Sequence, residues 1–128
     1  LLLGGAAAAH AGPLAWGWLA LTVLGIFAIE VAKNASGEVI DWESGVDLAV
    51  PDEDRSPFSG GKRVLVDGLL TVRDTWTIAA VTYALGALAG LAIAAGRAPG
   101  VLWIGVLGMA LAFGYHAPPL RLAYRGLG

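Results

Sequence analysis

Residues 75–95 read TWTIAAVTYALGALAGLAIAA, and this stretch decides the fold. It carries no charged side chain, and it is long enough for a helix to cross the hydrocarbon core of a bilayer, which takes about 20 apolar residues. Its glycines and alanines, among them Ala84, Gly86, Ala87, Ala89, Gly90 and Ala92, let helix backbones approach closely where lipid supplies no hydrophobic drive. The pattern Gly86-x-x-x-Gly90 is read as ordinary packing within the chain rather than as a dimer face.

Working outward, the same character recurs. Residues 14–31 form a second apolar run, and 98–115 a third that reaches span length only if it starts at Ala98. Arg97-Ala98-Pro99-Gly100 is the turn before it. Residues 1–11 are too short to span alone and read as the end of an earlier helix, with Gly12-Pro13 as the turn; the chain reads as a fragment at both ends. Trp16, Trp18, Trp76 and Trp103 fall near span ends, where an aromatic belt forms.

The composition agrees. The chain of 128 residues is 57% hydrophobic and 14% charged, with mean hydropathy +0.71. A soluble domain carries about a quarter charged residues. The expected fold is therefore all-α, an integral membrane, multi-span helical bundle. A net charge of -2 argues against a nucleic-acid partner, which wants a basic face. The absence of cysteine excludes a disulfide framework, a thiolate nucleophile and a Cys-based zinc site.

The charges are concentrated. Nine of the ten acids and five of the eight Lys and Arg residues lie in 33–74. Arg121 and Arg125 follow the third run, while only Arg97 lies in the turn before it. The positive-inside rule puts both the 33–74 loop and the C-terminal segment in the cytoplasm, and a count of three spans after Pro13 puts them on one side as well.

Within that loop Asn34, Glu38 and Asp41 stand at i, i+4 and i+7, on one face of a helix that continues from the first run. Gly45 ends that helix and Asp47 follows. Clustered carboxylates repel one another without a cation, and Mg²⁺ favours one or two carboxylates plus substrate phosphates. A solvated acidic loop accounts for the same periodicity equally well. Downstream, Ser59-Gly60-Gly61-Lys62-Arg63 offers backbone N–H groups and two cations suited to phosphate oxygens, although no P-loop pattern is present. Its plainer reading is a basic pair that sets topology. His116 has no neighbour in sequence with which to form a metal motif or triad.

The order Asn34-x-x-x-Glu38-x-x-Asp41-x-x-x-Gly45-Val46-Asp47, then Ser56-Pro57-Phe58-Ser59-Gly60-Gly61, then Tyr115-x-x-Pro118-Pro119-x-Arg121-x-x-Tyr124-Arg125-Gly126-Leu127-Gly128, resembles the UbiA superfamily of intramembrane prenyltransferases. It looks closest to the branch of 1,4-dihydroxy-2-naphthoate polyprenyltransferases. The resemblance implies part of a nine-helix fold with two Asp-rich motifs that bind Mg²⁺ and the diphosphate of a polyprenyl donor. An aromatic acceptor attacks the ionised allylic carbon, in a quinone pathway of the menaquinone type. It implies Asp41, Glu38, Asp47 and Asn34 at the metal, and Lys62, Arg63, Tyr115 and Arg121 at the diphosphate, with no further catalytic residue. The location implied is the membrane, the plasma membrane in a prokaryote.

The match departs at one point. Aligned on Asp41, the family's usual Asn-Asp-x-x-Asp reads Gly37-Glu38-x-x-Asp41. Nothing after Asp74 is acidic, so the second Asp-rich motif would lie beyond Gly128, and the 128-residue piece is expected to be inactive alone. The alternative function is a non-catalytic membrane binding or assembly protein with a solvated acidic loop.

Overall fold

A computed structural model describes residues 2–51 and 63–126. They form an all-helical arrangement in the order α1 (Leu2–Ala11), α2 (Trp16–Ser44), α3 (Val46–Ala49), α4 (Val72–Gly96) and α5 (Val101–Gly114), closed by a 3₁₀ turn at Leu122–Arg125. Two of them, α2 and α4, are long and apolar enough to cross a membrane.

Helix α2 runs unbroken from the first apolar stretch into the acidic region, as its i, i+4, i+7 spacing predicts. Gly45 stops it by adopting φ +76°, and its N–H reaches back to the carbonyls of Asp41 and Trp42. Helix α4 starts at a reciprocal cap: Thr71 Oγ1 accepts from Asp74 N at 3.1 Å, and an Asp74 oxygen accepts from Thr71 N at 3.4 Å.

Helices α2 and α4 are antiparallel partners. Trp18 lies against Gly96, Gly25 against Ala89, Ile29 against Gly86, and Ser36 Oγ sits 3.3 Å from the Tyr83 hydroxyl. A Cβ built on Gly86 would collide with Ile29 Cδ1 and press on the Gly25 carbonyl, so any side chain there forces Ile29 or the helices to shift. Among the described residues nothing lies within 4 Å of a Cβ on Gly90. The first glycine of the Gly86-x-x-x-Gly90 pattern therefore serves packing within the chain. The buried apolar residues are mostly small, including Ala32, Ala79, Ala89 and Ala94, whereas Leu85, Leu88, Leu91 and Trp103 face outward. Small inside and large outside suits lipid as the solvent.

Helix α5 completes the bundle through Phe113, whose ring meets Tyr83 edge-on at 6.3 Å. It is shorter than the 98–115 run. Ala98 and Pro99 belong to the turn, because Val101 N donates to Ala98 O at 3.0 Å and Leu102 N to Pro99 O at 3.1 Å. Fourteen residues of helix extend about 21 Å at 1.5 Å each, less than the ~30 Å hydrocarbon core. The C-terminal ends of α2 and α5 come together, and this brings the acidic region and the 115–126 segment to the same end of the bundle.

Candidate functional site

That shared end is assembled from the last turns of α2, from α3, from the turn at 63–68 and from the 115–126 segment. Each piece is shaped by backbone bonding. Asp67 N reaches Arg63 O at 2.8 Å and Leu69 N reaches Val64 O at 2.9 Å, which folds 63–69 into a knot. Ala123 N bonds Tyr115 O at 2.9 Å and Arg121 N bonds Ala117 O at 3.0 Å, which turns the 115–126 segment back on itself. Both turns carry an arginine with left-handed backbone: Arg63 at φ +51° and Arg121 at φ +44°. A non-glycine residue is costly there, by about 1 kcal/mol or more.

Three carboxylates lie at this end, near enough for the charges of Glu38 and Asp41 to act on Asp47. Glu38 Oε1 accepts the Leu65 N–H at 3.3 Å, which ties α2 to the 63–68 turn. Asp41 Oδ1 accepts the hydroxyl of Tyr124, from 83 residues away in sequence. Asp41 Oδ2 faces His116 Nε2 at 3.9 Å, too long for a hydrogen bond. Asp47 is only 5% exposed, and its Oδ2 is buried with no hydrogen-bond partner among the described residues. Burial raises the Asp47 pKa, the negative charges of Glu38 and Asp41 raise it further, and Arg63 opposes them. Burial lowers the pKa of His116; Asp41 pulls it back up and Lys33 pushes it down. The Tyr124 hydroxyl titrates above its ordinary range, chiefly from burial and then from its bond to Asp41.

The residues singled out from sequence divide. Glu38, Asp41 and Asp47 are brought close enough to feel each other's charge. Asn34 is exposed and donates to Glu30 at 3.4 Å, one helical turn back toward the start of α2 and away from Glu38 and Asp41. Arg63 is held by Asp67 at 3.1 Å, yet its charge still reaches Asp47. Tyr115 stacks edge-on against His116 at 4.7 Å and lies under the Lys33 ammonium at 5.9 Å. Arg121 opens the 3₁₀ turn that presents Tyr124. Lys62 and the Ser56–Gly61 motif (residues 56–61) lie outside the described residues.

Three participants escaped the sequence reading. Tyr124 holds Asp41, and Lys33 supplies a cation beside Tyr115. Gly37, the point of departure from the family pattern, is where His116 seats: a Cβ at 37 would stand 2.7 Å from His116 Cε1 and Nδ1. An Asn at this position would occupy the space the imidazole fills. The glycine was the available signal, but its meaning depends on a residue 79 positions on, which spacing along one helix cannot reveal.

The donors present are hard oxygens, and the orphaned Asp47 Oδ2 lies among charges that repel. Both features suit Mg²⁺. Among the described residues no three acidic or imidazole groups converge closely enough to hold a metal by themselves. A cation bound here would therefore take most of its ligands from phosphate and water, as Mg²⁺ commonly does.

Away from this end the helices enclose an apolar cleft of about 540 Å³ among α2, α4 and α5, lined by Ile26, Ile29, Gly86, Leu91, Leu102 and Met109. Comparison with known proteins gives one match: the sequence profile of the UbiA prenyltransferase family covers residues 1–128. Neither a curated protein nor a solved structure matches the chain.

Proposed function

The chain belongs to the UbiA prenyltransferase family, an integral membrane helical fold, and from that premise we propose that it contributes one carboxylate cluster to Mg²⁺-dependent prenyl transfer from a polyprenyl diphosphate to an aromatic acceptor. The observation that carries this reading is the buried Asp47 Oδ2, which has no hydrogen-bond partner among the described residues and feels the charges of Glu38 and Asp41. A repelling cluster at the wet end of a bundle has a use for a cation, and an anionic diphosphate has a use for the same cation. When bound, Mg²⁺ would neutralise the departing diphosphate and ease its loss.

The chain's own residues then have distinct tasks. Asp41, Glu38 and Asp47 supply oxygens to the cation. Arg63 and Arg121 bring positive charge to the same end for the phosphate oxygens, with Lys62 and Tyr115 as further contacts and Asn34 as an outer one. In the reaction the allylic C–O bond breaks and its electron pair leaves on the diphosphate. An aromatic carbon forms the new bond to the allylic carbon and gives up the proton it carried. The apolar cleft among α2, α4 and α5 offers surface of the kind a prenyl chain buries. The motif order favours an acceptor of the dihydroxynaphthoate type in quinone synthesis. The topology proposed puts the carboxylate end in the cytoplasm, from the Lys and Arg count.

The decisive experiment is Asp41→Asn in the membrane-embedded, full-length protein. Mg²⁺-dependent transfer should vanish while insertion and expression stay at wild-type level. Wild-type turnover in that variant would reduce the acidic region to a solvated surface and favour a binding or assembly role.

A further inference from the structure

The bond from Tyr124 to Asp41 joins two regions that no local rule connects. An aspartate near a wet helix end ordinarily turns freely about its last torsion, which is broad and two-fold. Here one oxygen is taken. The donor is a rigid side chain on a segment that is itself closed, by Ala123 N to Tyr115 O at 2.9 Å and by the Arg125 guanidinium to Pro119 O at 3.2 Å. Ser44 stands beside the same hydroxyl, and its own Oγ donates to the Asp41 carbonyl at 3.0 Å. On the other side, His116 fills the space above Gly37 and flanks Oδ2 without bonding to it. The carboxylate is thus fixed at Oδ1, while Oδ2 has no hydrogen-bond partner among the described residues.

We propose that Tyr124 is a positioning residue for the cation–diphosphate site: its hydroxyl orients the Asp41 carboxylate so that Oδ2 remains available as the ligand. This inference rests on the proposed role of Asp41. A donor to an ionised carboxylate makes a charge-assisted bond, stronger than one between neutral groups. Groups that orient a metal's ligands are worth about 10- to 100-fold in metal affinity. Tyr124 acts through Asp41 and needs no contact with substrate. The competing account is that the bond merely fastens the 115–126 segment to α2, with no bearing on the cation.

The test uses the full-length protein in detergent, Mn²⁺ as a spectroscopically visible cation and inorganic diphosphate as co-ligand. Binding is read by electron paramagnetic resonance and unfolding by a thermal melt without metal. Tyr124→Phe should raise the half-saturating Mn²⁺ concentration about tenfold, with the metal-free melting temperature unchanged. Tyr124→p-aminophenylalanine, which keeps a donor at the same place, should restore binding to within about threefold of wild type. Should Tyr124→Phe lower the metal-free melting temperature together with binding, or fail to fold while the amino variant binds no better, the fastening account wins and the inference is overturned. Unchanged Mn²⁺ binding in Tyr124→Phe also overturns it. Asp41→Asn separates the two levels: if it abolishes Mn²⁺ binding while Tyr124→Phe does not weaken it, only the positioning role falls. If Asp41→Asn binds Mn²⁺ as wild type does, the metal reading of the cluster falls first and the positioning role with it.

Discussion

The two halves of α2 are held by different physics. Its first half packs on α4 through a seam of Gly25, Gly86 and Ala89, where contact depends on the absence of side chains. Its second half ends among Glu38, Asp41, Gly37 and the residues that reach them from 63–68 and 115–126, where contact depends on hydrogen bonds and charge. The seam needs only two helices laid antiparallel. The polar end needs a chain that leaves α2, crosses the bundle and returns, so it exists only once the seam is formed. Damage to the seam should therefore propagate to the site, and damage to the site should leave the seam standing.

The largest expected effect tests that asymmetry directly. Gly86→Leu forces a side chain into Ile29 and should cost about 3 kcal/mol of stability, read as a lowered thermal midpoint in detergent, and should weaken metal binding along with it. Gly90→Leu lies four residues on, where a Cβ meets nothing, and should be neutral or stabilising by up to about 1 kcal/mol, since leucine favours the helix. Equal penalties at the two glycines would break the distinction and point to a partner against Gly90. Next in size is Thr71→Ala, which removes the cap at the start of α4 and should cost about 1 kcal/mol. The loss is confined to the first turn of that helix, so Mn²⁺ binding should not move.

The same divide governs what the sequence made legible. The helices that carry 14–31 and 75–95 were readable because each run is long and almost wholly apolar, with Glu30 the one charge in the first and none in the second. The continuation of α2 to Ser44 was readable from the i, i+4, i+7 spacing and from Gly45, whose left-handed backbone ends it. The limit of α5 was not, because hydropathy counts Ala98 as apolar while Pro99 and the hydrogen bonds to Ala98 and Pro99 make it part of a turn. At the candidate site, the placing of Glu38, Asp41 and Asp47 at one end was legible from their closeness in sequence. Asn34 shares the α2 face of Glu38 and Asp41 but turns to Glu30, since an exposed amide takes whatever oxygen is one turn away. Tyr124 and His116 were invisible as partners, because each acts across a span of sequence that carries no periodic signal. Gly37 read as a defect in a motif until His116 was found above it.

The smallest effect sharpens the comparison from the polar side. Burial and the charges of Glu38 and Asp41 raise the pKa of Asp47, while Arg63 pulls the other way and trims the shift. A carboxyl whose folded pKa lies above its unfolded value favours folding as the neutral acid. Its contribution is fully present below the ordinary value of 3.8 and is lost as pH rises through the raised folded value. Asp47→Asn keeps the neutral form at every pH. In metal-free detergent solution the variant should match wild type below pH 3.8 and melt slightly higher than wild type near neutrality. Adding Mg²⁺ with inorganic diphosphate should reverse that order at neutral pH, because the cation stabilises the ionised wild-type cluster and finds one ligand fewer in the variant. A melting difference that ignores pH would mean Asp47 bears no charge strain. One that ignores Mg²⁺ would mean the strain is not kept for a cation, and the polar end would then be ordinary packing, as the seam is.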